Sequence, residues 1–187
     1  MIQEIQRCLE TLIRGEIILY PTDTIWGVGC DATDPDPVTK IYEIKKRVDS
    51  KAMLVLVDSI NMISDYIDEI PEVALEILEV NEDPLTIIYP GAYGLAGNLL
   101  ADDGSIGIRI TAEPFSSGLI RAFGKPIVST SANLTGQPAP ASFRQISEEV
   151  LASVDYTADW KRDDRKKRKP SGILKVHLNG KIEIIRQ

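Results

Sequence analysis

Apolar residues in this chain of 187 residues occur in short runs that each stop at a polar residue, a proline or a glycine. Runs of this length, bounded by turn residues, are typical of buried β-strands. They predict strands at residues 17–20, 25–29, 53–57, 85–89, 106–110, 126–128, 173–176 and 182–185. The run at 106–110 alternates apolar residues with Gly107 and Arg109, which predicts a half-exposed strand. Asn179-Gly180 predicts a tight hairpin turn between the last two strands.

Between these runs, apolar residues recur at helical spacing. This pattern predicts a first helix that ends at Gly15, and further helices at residues 37–46, 60–66, 71–80, 114–123 and 143–151. Strands and helices mix without strict alternation of strand, helix and strand. We therefore predict a single α/β domain over residues 1–187, with a mixed, twisted sheet.

Composition narrows the class of protein. No apolar stretch approaches the roughly 20 residues that cross a bilayer, and the N-terminus lacks the basic start of a signal peptide. We therefore expect no membrane association. Two cysteines, Cys8 and Cys30, offer neither a disulfide framework nor a metal cluster, so no metal site is predicted. A reducing cytoplasm is the expected location.

The net charge of −7 argues against a protein coated by nucleic acid. Seven of the 21 basic residues nevertheless lie between Lys161 and Lys169. Such a run is usually a solvated loop. The alternative is a loop that covers an anionic ligand or contacts RNA.

Polar side chains gather where two predicted strands end. Residues 129–133, with the sequence Ser-Thr-Ser-Ala-Asn, follow the run at 126–128, and Thr22 and Thr24 follow the run at 17–20. In open α/β sheets, ligands bind beyond the carboxyl ends of strands. Three cations, Lys45, Arg47 and Lys51, surround the end of the second predicted helix. Cations at a helix C-terminus are also favoured by its dipole, but together with the hydroxyl clusters they indicate an anion site.

Arg109 interrupts an apolar strand and could hold a carboxylate through two nitrogens. The pattern alone is equally consistent with Arg109 being an exposed strand residue.

Familiar nucleotide and hydrolase motifs are missing. The chain has no phosphate loop, and Gly27-Val28-Gly29 lacks the third glycine of a dinucleotide fingerprint. With one histidine and no Gly-x-Ser-x-Gly sequence, a serine hydrolase is disfavoured.

Five ordered motifs carry a resemblance to a known family. Residues 20–32, with the sequence YPTDTIWGVGCDA, resemble the opening motif of the YrdC-like family, the threonylcarbamoyl-AMP synthases. The segments 44–47, 84–86 with 106–109, 126–133, and 169–171 resemble later motifs of that family in the same order. The likeness covers essentially the whole chain and matches the short, single-domain form.

The resemblance implies a YrdC-like α/β fold, with a twisted mixed sheet flanked by helices and a large, open, concave cavity. It implies an enzyme that condenses L-threonine, bicarbonate and ATP into threonylcarbamoyl-AMP and pyrophosphate. A tRNA-modifying transferase partner then places the threonylcarbamoyl group on adenosine next to the anticodon. Mg²⁺ is expected on the phosphates of ATP, with few protein ligands.

The resemblance also assigns roles. Lys45 and Arg47 would be catalytic, neutralising triphosphate and carboxylate charge together with Lys51. The nucleotide would contact Ser129, Ser131 and Asn133. The remaining substrate-binding positions are Thr22, Thr24, Lys51, Arg109, Thr130 and Ser171. The attacking carbamate, the α-phosphate of ATP and the leaving pyrophosphate are all anionic. The protein would therefore act by neutralising charge and aligning the reactants.

The chain departs from the family pattern in three places: Ala52-Met53 replaces Pro-Leu, residues 81–83 replace Trp-Pro-Gly, and Gly172 replaces a frequent Thr. Two other functions stay open. One is an RNA-binding module for tRNA or double-stranded RNA: the aromatic content of 6% disfavours single-strand binding by stacking, whereas shape recognition of duplex RNA stays open. The other is a related carbamoyl-transfer domain of the kind used in hydrogenase maturation, or an uncharacterised paralogue.

Overall fold

The computed structural model describes residues 1–46, 53–164 and 169–187. Its helices are α1 (Ile2–Ile13), α2 (Pro35–Ile44), α3 (Ile60–Ser64), α4 (Glu72–Val80), α5 (Pro114–Phe123) and α6 (Glu148–Ala152). Its strands are β1 (Ile18–Tyr20), β2 (Gly27–Gly29), β3 (Leu54–Val57), β4 (Leu85–Tyr89), β5 (Ile106–Ile110), β6 (Ile127–Ser131), β7 (Tyr156–Thr157), β8 (Gly172–Val176) and β9 (Ile182–Arg186). Short 3₁₀ turns cover Gly97–Leu99 and Phe143–Gln145.

The strands of the described residues join in one mixed sheet with the order β7-β1-β2-β6-β3-β5-β4-β8-β9. β3 runs parallel to β5, and β4 runs parallel to β8. β6 lies between β2 and β3 and is antiparallel to both. The start of β2 therefore lies beside the end of β6, since Gly27 is in register with Ser131.

Alternate residues of the central strands enter two apolar clusters, one on each face of the sheet. Helices α1 and α5 cover one face with Leu12, Phe115 and Leu119, which pack with Leu56 and Ile127. The larger cluster lies on the other face and includes side chains of α2 and α4. The predicted α/β class, with a mixed sheet flanked by helices, is confirmed.

Local sequence explains where two helices near the site begin. α2 starts after Asp34, whose carboxylate accepts a hydrogen bond from the Asp36 backbone N–H. α5 starts after Glu113, whose carboxylate accepts from Ser116 N at 2.8 Å. It ends at Gly124, which has a φ of 70° in the left-handed region that favours glycine.

Several boundaries differ from those predicted. The prediction of a half-exposed strand at 106–110 is wrong, because residues 106–109 are buried: Ile106 and Ile108 pack in the larger apolar cluster, and Arg109 lies against Asp23. The predicted helix at 143–151 is a 3₁₀ turn followed by the short α6. β6 continues three residues beyond the predicted strand, and β7 was not predicted.

Within the described residues, no helix is both long enough and apolar enough to cross a lipid bilayer.

Candidate active site

A cavity of about 940 Å³ opens on the sheet face that carries α1 and α5, over strands that these helices leave uncovered. Its floor includes Gly107 and Arg109 of β5, Thr86 of β4, and Ser129 and Ser131 of β6. Small ligand pockets typically measure about 300–1,000 Å³. This cavity is therefore large enough for a nucleotide together with a second small molecule.

Eight of the eleven predicted site residues line this one cavity: Thr24, Lys45, Arg109, Ser129, Thr130, Ser131, Asn133 and Ser171. They come from positions spread over most of the chain. Thr22 lies behind the wall rather than in it. Arg47 and Lys51 fall outside the described residues, so their predicted roles stay predictions.

Lys45 joins the end of α2 to the end of β6. Its Nζ donates to the Ser131 carbonyl oxygen at 2.6 Å and to the Asn133 carbonyl oxygen. The same nitrogen lies 3.3 Å from Asn133 Oδ1 and 3.5 Å from Ser131 Oγ. Only 4% of Lys45 is exposed. The ammonium group therefore orders the polar turn after β6, in addition to placing a positive charge in the cavity wall.

The β1–β2 turn positions Thr24. Thr22 Oγ1 donates to the Ile25 carbonyl oxygen at 2.7 Å and accepts from Thr24 N at 3.2 Å. The two threonine hydroxyls are 3.1 Å apart. Because Thr22 is buried and absent from the cavity lining, its visible role is to hold the turn. Direct substrate contact by Thr22 would need a change in this turn.

Two glycines of β2 let the backbone approach β6 closely. A Cβ on Gly29 would overlap the Val128 carbonyl oxygen and the Tyr20 ring. A Cβ on Gly27 would lie 2.9 Å from Ser129 Oγ, inside the cavity. Gly29 is therefore needed for the close packing of β2 against β6, whereas Gly27 leaves space in the cavity beside the β6 hydroxyls.

Arg109 forms a buried ion pair. Its Nη2 lies 3.0 Å from Asp23 Oδ1, and the two side chains are 3% and 11% exposed. The alignment is poor for a hydrogen bond, since Asp23 Oδ1 and Arg109 Nε both lack an aligned partner. Burial raises the pKa of Asp23, and the Arg109 charge opposes that rise. Burial likewise lowers the pKa of Arg109, and Asp23 opposes that change.

Ser171 forms part of the opposite wall. Its Oγ is 2.8 Å from Thr86 Oγ1, and its carbonyl oxygen accepts from Arg186 Nε at 2.9 Å. Gly172, the departure from the family pattern, begins β8, and a Cβ there would lie 3.3 Å from Leu85 Cδ1. A larger residue at position 172 would therefore need Leu85 to shift.

Sequence reasoning missed several cavity residues. Asp103 Oδ2 lies 2.6 Å from Lys175 Nζ at the rim, and Asp103 Oδ1 accepts hydrogen bonds from Ser105. The bonds from Lys175 and Ser105 hold the pKa of Asp103 far below its usual value. Arg186 also lines the cavity. Lys175 is a cation within an apolar strand run, the same signal that singled out Arg109, whereas Arg186 directly follows the last predicted run.

The basic run begins close to the site. Lys161 Nζ lies 2.8 Å from Glu113 Oε1, and Lys161 has a positive φ of 57°. Residues 165–168 of the run lie outside the described residues. Pro170, which follows the run, lines the cavity.

An α/β sheet with hydroxyls, an amide and fixed cations around one cavity is the arrangement typical of proteins that bind small anionic ligands. A family model described as "Telomere recombination", the Sua5, YciO and YrdC family, matches residues 10–187. The chain belongs to this family.

Curated relatives agree with that assignment. The chain is 33% identical over 159 residues to the threonylcarbamoyl-AMP synthase of Xanthomonas campestris pv. campestris, covering 83% of this chain and 85% of that protein. It is 34% identical over 148 residues to the threonylcarbamoyl-AMP synthase of Vibrio campbellii, covering 78% of this chain and 80% of that protein.

Solved structures share the fold. Escherichia coli YciO aligns with a TM-score of 0.87 at 23% identity, over 100% of this chain and 90% of that one. P. abyssi Sua5, crystallised with L-threonine, aligns with a TM-score of 0.82 at 22% identity. That alignment covers 92% of this chain and 50% of the Sua5 chain.

Proposed function

We propose that this protein is a threonylcarbamoyl-AMP synthase that condenses L-threonine, bicarbonate and ATP. The observation that supports this most is the convergence of Lys45, the β6 hydroxyls, Arg109 and Ser171 on one cavity of about 940 Å³. The names of the curated relatives support it independently.

The proposed reaction has two steps. The threonine amine adds to the carbon of bicarbonate with loss of water, giving a carbamate. A carbamate oxygen then attacks the α-phosphorus of ATP, the bond to the β-phosphate oxygen breaks, and pyrophosphate leaves. All reacting groups are anionic, so the protein accelerates the reaction by neutralising charge and aligning the reactants.

Within this proposal, the nucleotide lies against the end of β6, where Ser129, Ser131 and Asn133 supply hydroxyl and amide groups. Lys45 sits beside them, and Arg47 and Lys51 are proposed to add positive charge. Threonine lies toward Arg109, with Thr24, Thr130 and Ser171 around it.

Mg²⁺ is proposed to enter with ATP as the MgATP complex. Among the described residues, no group of three or more histidine, cysteine, aspartate or glutamate side chains could hold a metal ion by itself. A cation held mainly by phosphates and water needs few protein ligands. The proposed next step is transfer of the threonylcarbamoyl group to tRNA by a tRNA-modifying transferase, with the cytoplasm as the proposed location.

The test is release of pyrophosphate from MgATP, with threonine or bicarbonate omitted in turn. We expect release only when both are present. Release that needs neither would contradict the proposal and indicate a simple ATPase. Salt-dependent RNA binding without ATP or threonine, in a protein that releases no pyrophosphate, would favour the RNA-binding alternative.

A further inference from the structure

Asp23 is the one charged partner of Arg109 within the described residues. No other carboxylate lies within ion-pair distance of the Arg109 guanidinium there, and its Nε is buried without an aligned hydrogen bond. A guanidinium has five N–H donors in a fixed plane. The orientation of that plane in the cavity wall therefore depends on its contact with Asp23.

Other charges make this dependence stronger. Arg186, which also lines the cavity, repels Arg109 and adds to the effect of burial on its pKa. Glu113 repels Asp23 in the same way, but Glu113 is itself neutralised by Lys161. Tyr20 also interacts with both members of the pair, and it is fully buried in the core.

We propose that Asp23 is a positioning residue for the known reaction of the family: it fixes the Arg109 guanidinium so that Arg109 can receive the carboxylate of the amino-acid substrate. Asp23 is absent from the cavity lining, so it acts through Arg109 rather than by touching substrate. This inference rests on the proposed synthase function.

The experiment compares Asp23→Asn with the wild-type protein by initial rates of pyrophosphate release. Threonine is varied at saturating MgATP and bicarbonate, and MgATP is varied at saturating threonine. Loss of one partner of a buried charge pair leaves the other charge buried and unpaired, which is costly. We expect the KM for threonine to rise about 30-fold or more, and the KM for MgATP to change less than about twofold.

Three controls separate positioning from a general structural effect. Glu79→Gln changes an exposed carboxylate on α4 and should leave both KM values unchanged. Asp23→Glu keeps the charge and should recover part of the threonine affinity. In an Arg109→Lys background, Asp23→Asn should change the threonine KM by less than about threefold, because the planar group that Asp23 orients is gone.

Equal KM values for wild type and Asp23→Asn would overturn the inference while leaving the synthase function intact. So would parallel losses for threonine and MgATP, or a full additional effect in the Arg109→Lys background. If wild type releases no threonine-dependent pyrophosphate, the proposed function itself fails. If Asp23→Asn does not fold, the Asp23→Glu variant decides: a raised threonine KM with an unchanged MgATP KM supports positioning, and unchanged values for both contradict it.

Discussion

Replacing Lys45 with methionine should damage both stability and activity. Methionine keeps most of the side-chain volume but removes the nitrogen that donates to the Ser131 and Asn133 carbonyl oxygens. Both acceptors belong to the polar turn at the end of β6, and Lys45 is only 4% exposed. The substitution therefore leaves two carbonyl groups without this donor and removes a positive charge from the cavity wall.

The size of the effect follows from these contacts. A hydrogen bond to a charged group contributes about 1.5–3 kcal/mol, so two such bonds contribute about 3–6 kcal/mol. Removing an ammonium from a buried position recovers part of its desolvation cost. We expect a net loss of about 3 kcal/mol in unfolding free energy. For a chain of this length, that corresponds to a fall of about 6–12 °C in Tm.

Thermal unfolding followed by circular dichroism measures the stability, and pyrophosphate release measures the activity. Lys40→Met is a matched control, because Lys40 lies on α2, the helix that ends directly before Lys45, and is exposed. It should shift Tm by no more than about 2 °C. The Lys45 variant should also lose about 100-fold or more in rate. A Lys45→Met variant with the same Tm as Lys40→Met and the wild-type rate of pyrophosphate release would refute the reasoning.

Further predictions concern the glycines, cysteines and a tryptophan. Gly29→Ala should lower the free energy of unfolding, measured by urea titration, by about 3 kcal/mol or more, because its methyl group would overlap β6. Gly27→Ala should lower it by only about 1 kcal/mol but should also slow pyrophosphate release, since its methyl group enters the cavity. Equal destabilisation by the two substitutions would contradict this distinction. Burial raises the pKa of Cys8 to about 12, and burial also raises that of Cys30. Both thiols should therefore stay protonated and react with a disulfide reagent at pH 8 more than about 100-fold slower in the native protein than after denaturation, and equal rates would show that they are exposed. Trp26 lines the cavity, so MgATP should change the tryptophan emission of the wild type but not of Trp26→Phe, and an unchanged wild-type spectrum would place the nucleotide elsewhere.

Short-range pattern was enough to predict most elements. The predicted strands at 53–57, 85–89 and 106–110 correspond to β3, β4 and β5 of the structure, and the polar residues at the end of β6 line the cavity. These predictions succeed because strand length, turn residues and alternation are local properties of the sequence.

Pairings between distant residues could not be predicted from such patterns. Asp23 and Arg109 form an ion pair across 86 positions, and Lys45 reaches Ser131 across another 86. The predicted half-exposure of β5 was wrong for a similar reason. Alternation shows which residues share a face of the strand, but it does not show what packs against that face. In the structure, Ile106 and Ile108 are buried in the larger apolar cluster, and Arg109 is buried beside Asp23.

The most direct test of the synthase account is the isotopic composition of the product. Purified protein is incubated with MgATP, L-threonine and ¹³C-bicarbonate. The reaction is quenched, and its products are analysed by mass spectrometry. The account predicts an adenylate whose mass includes threonine and one ¹³C atom, formed in equal amount with pyrophosphate. Formation of AMP or ADP without any labelled threonylcarbamoyl adenylate would contradict it.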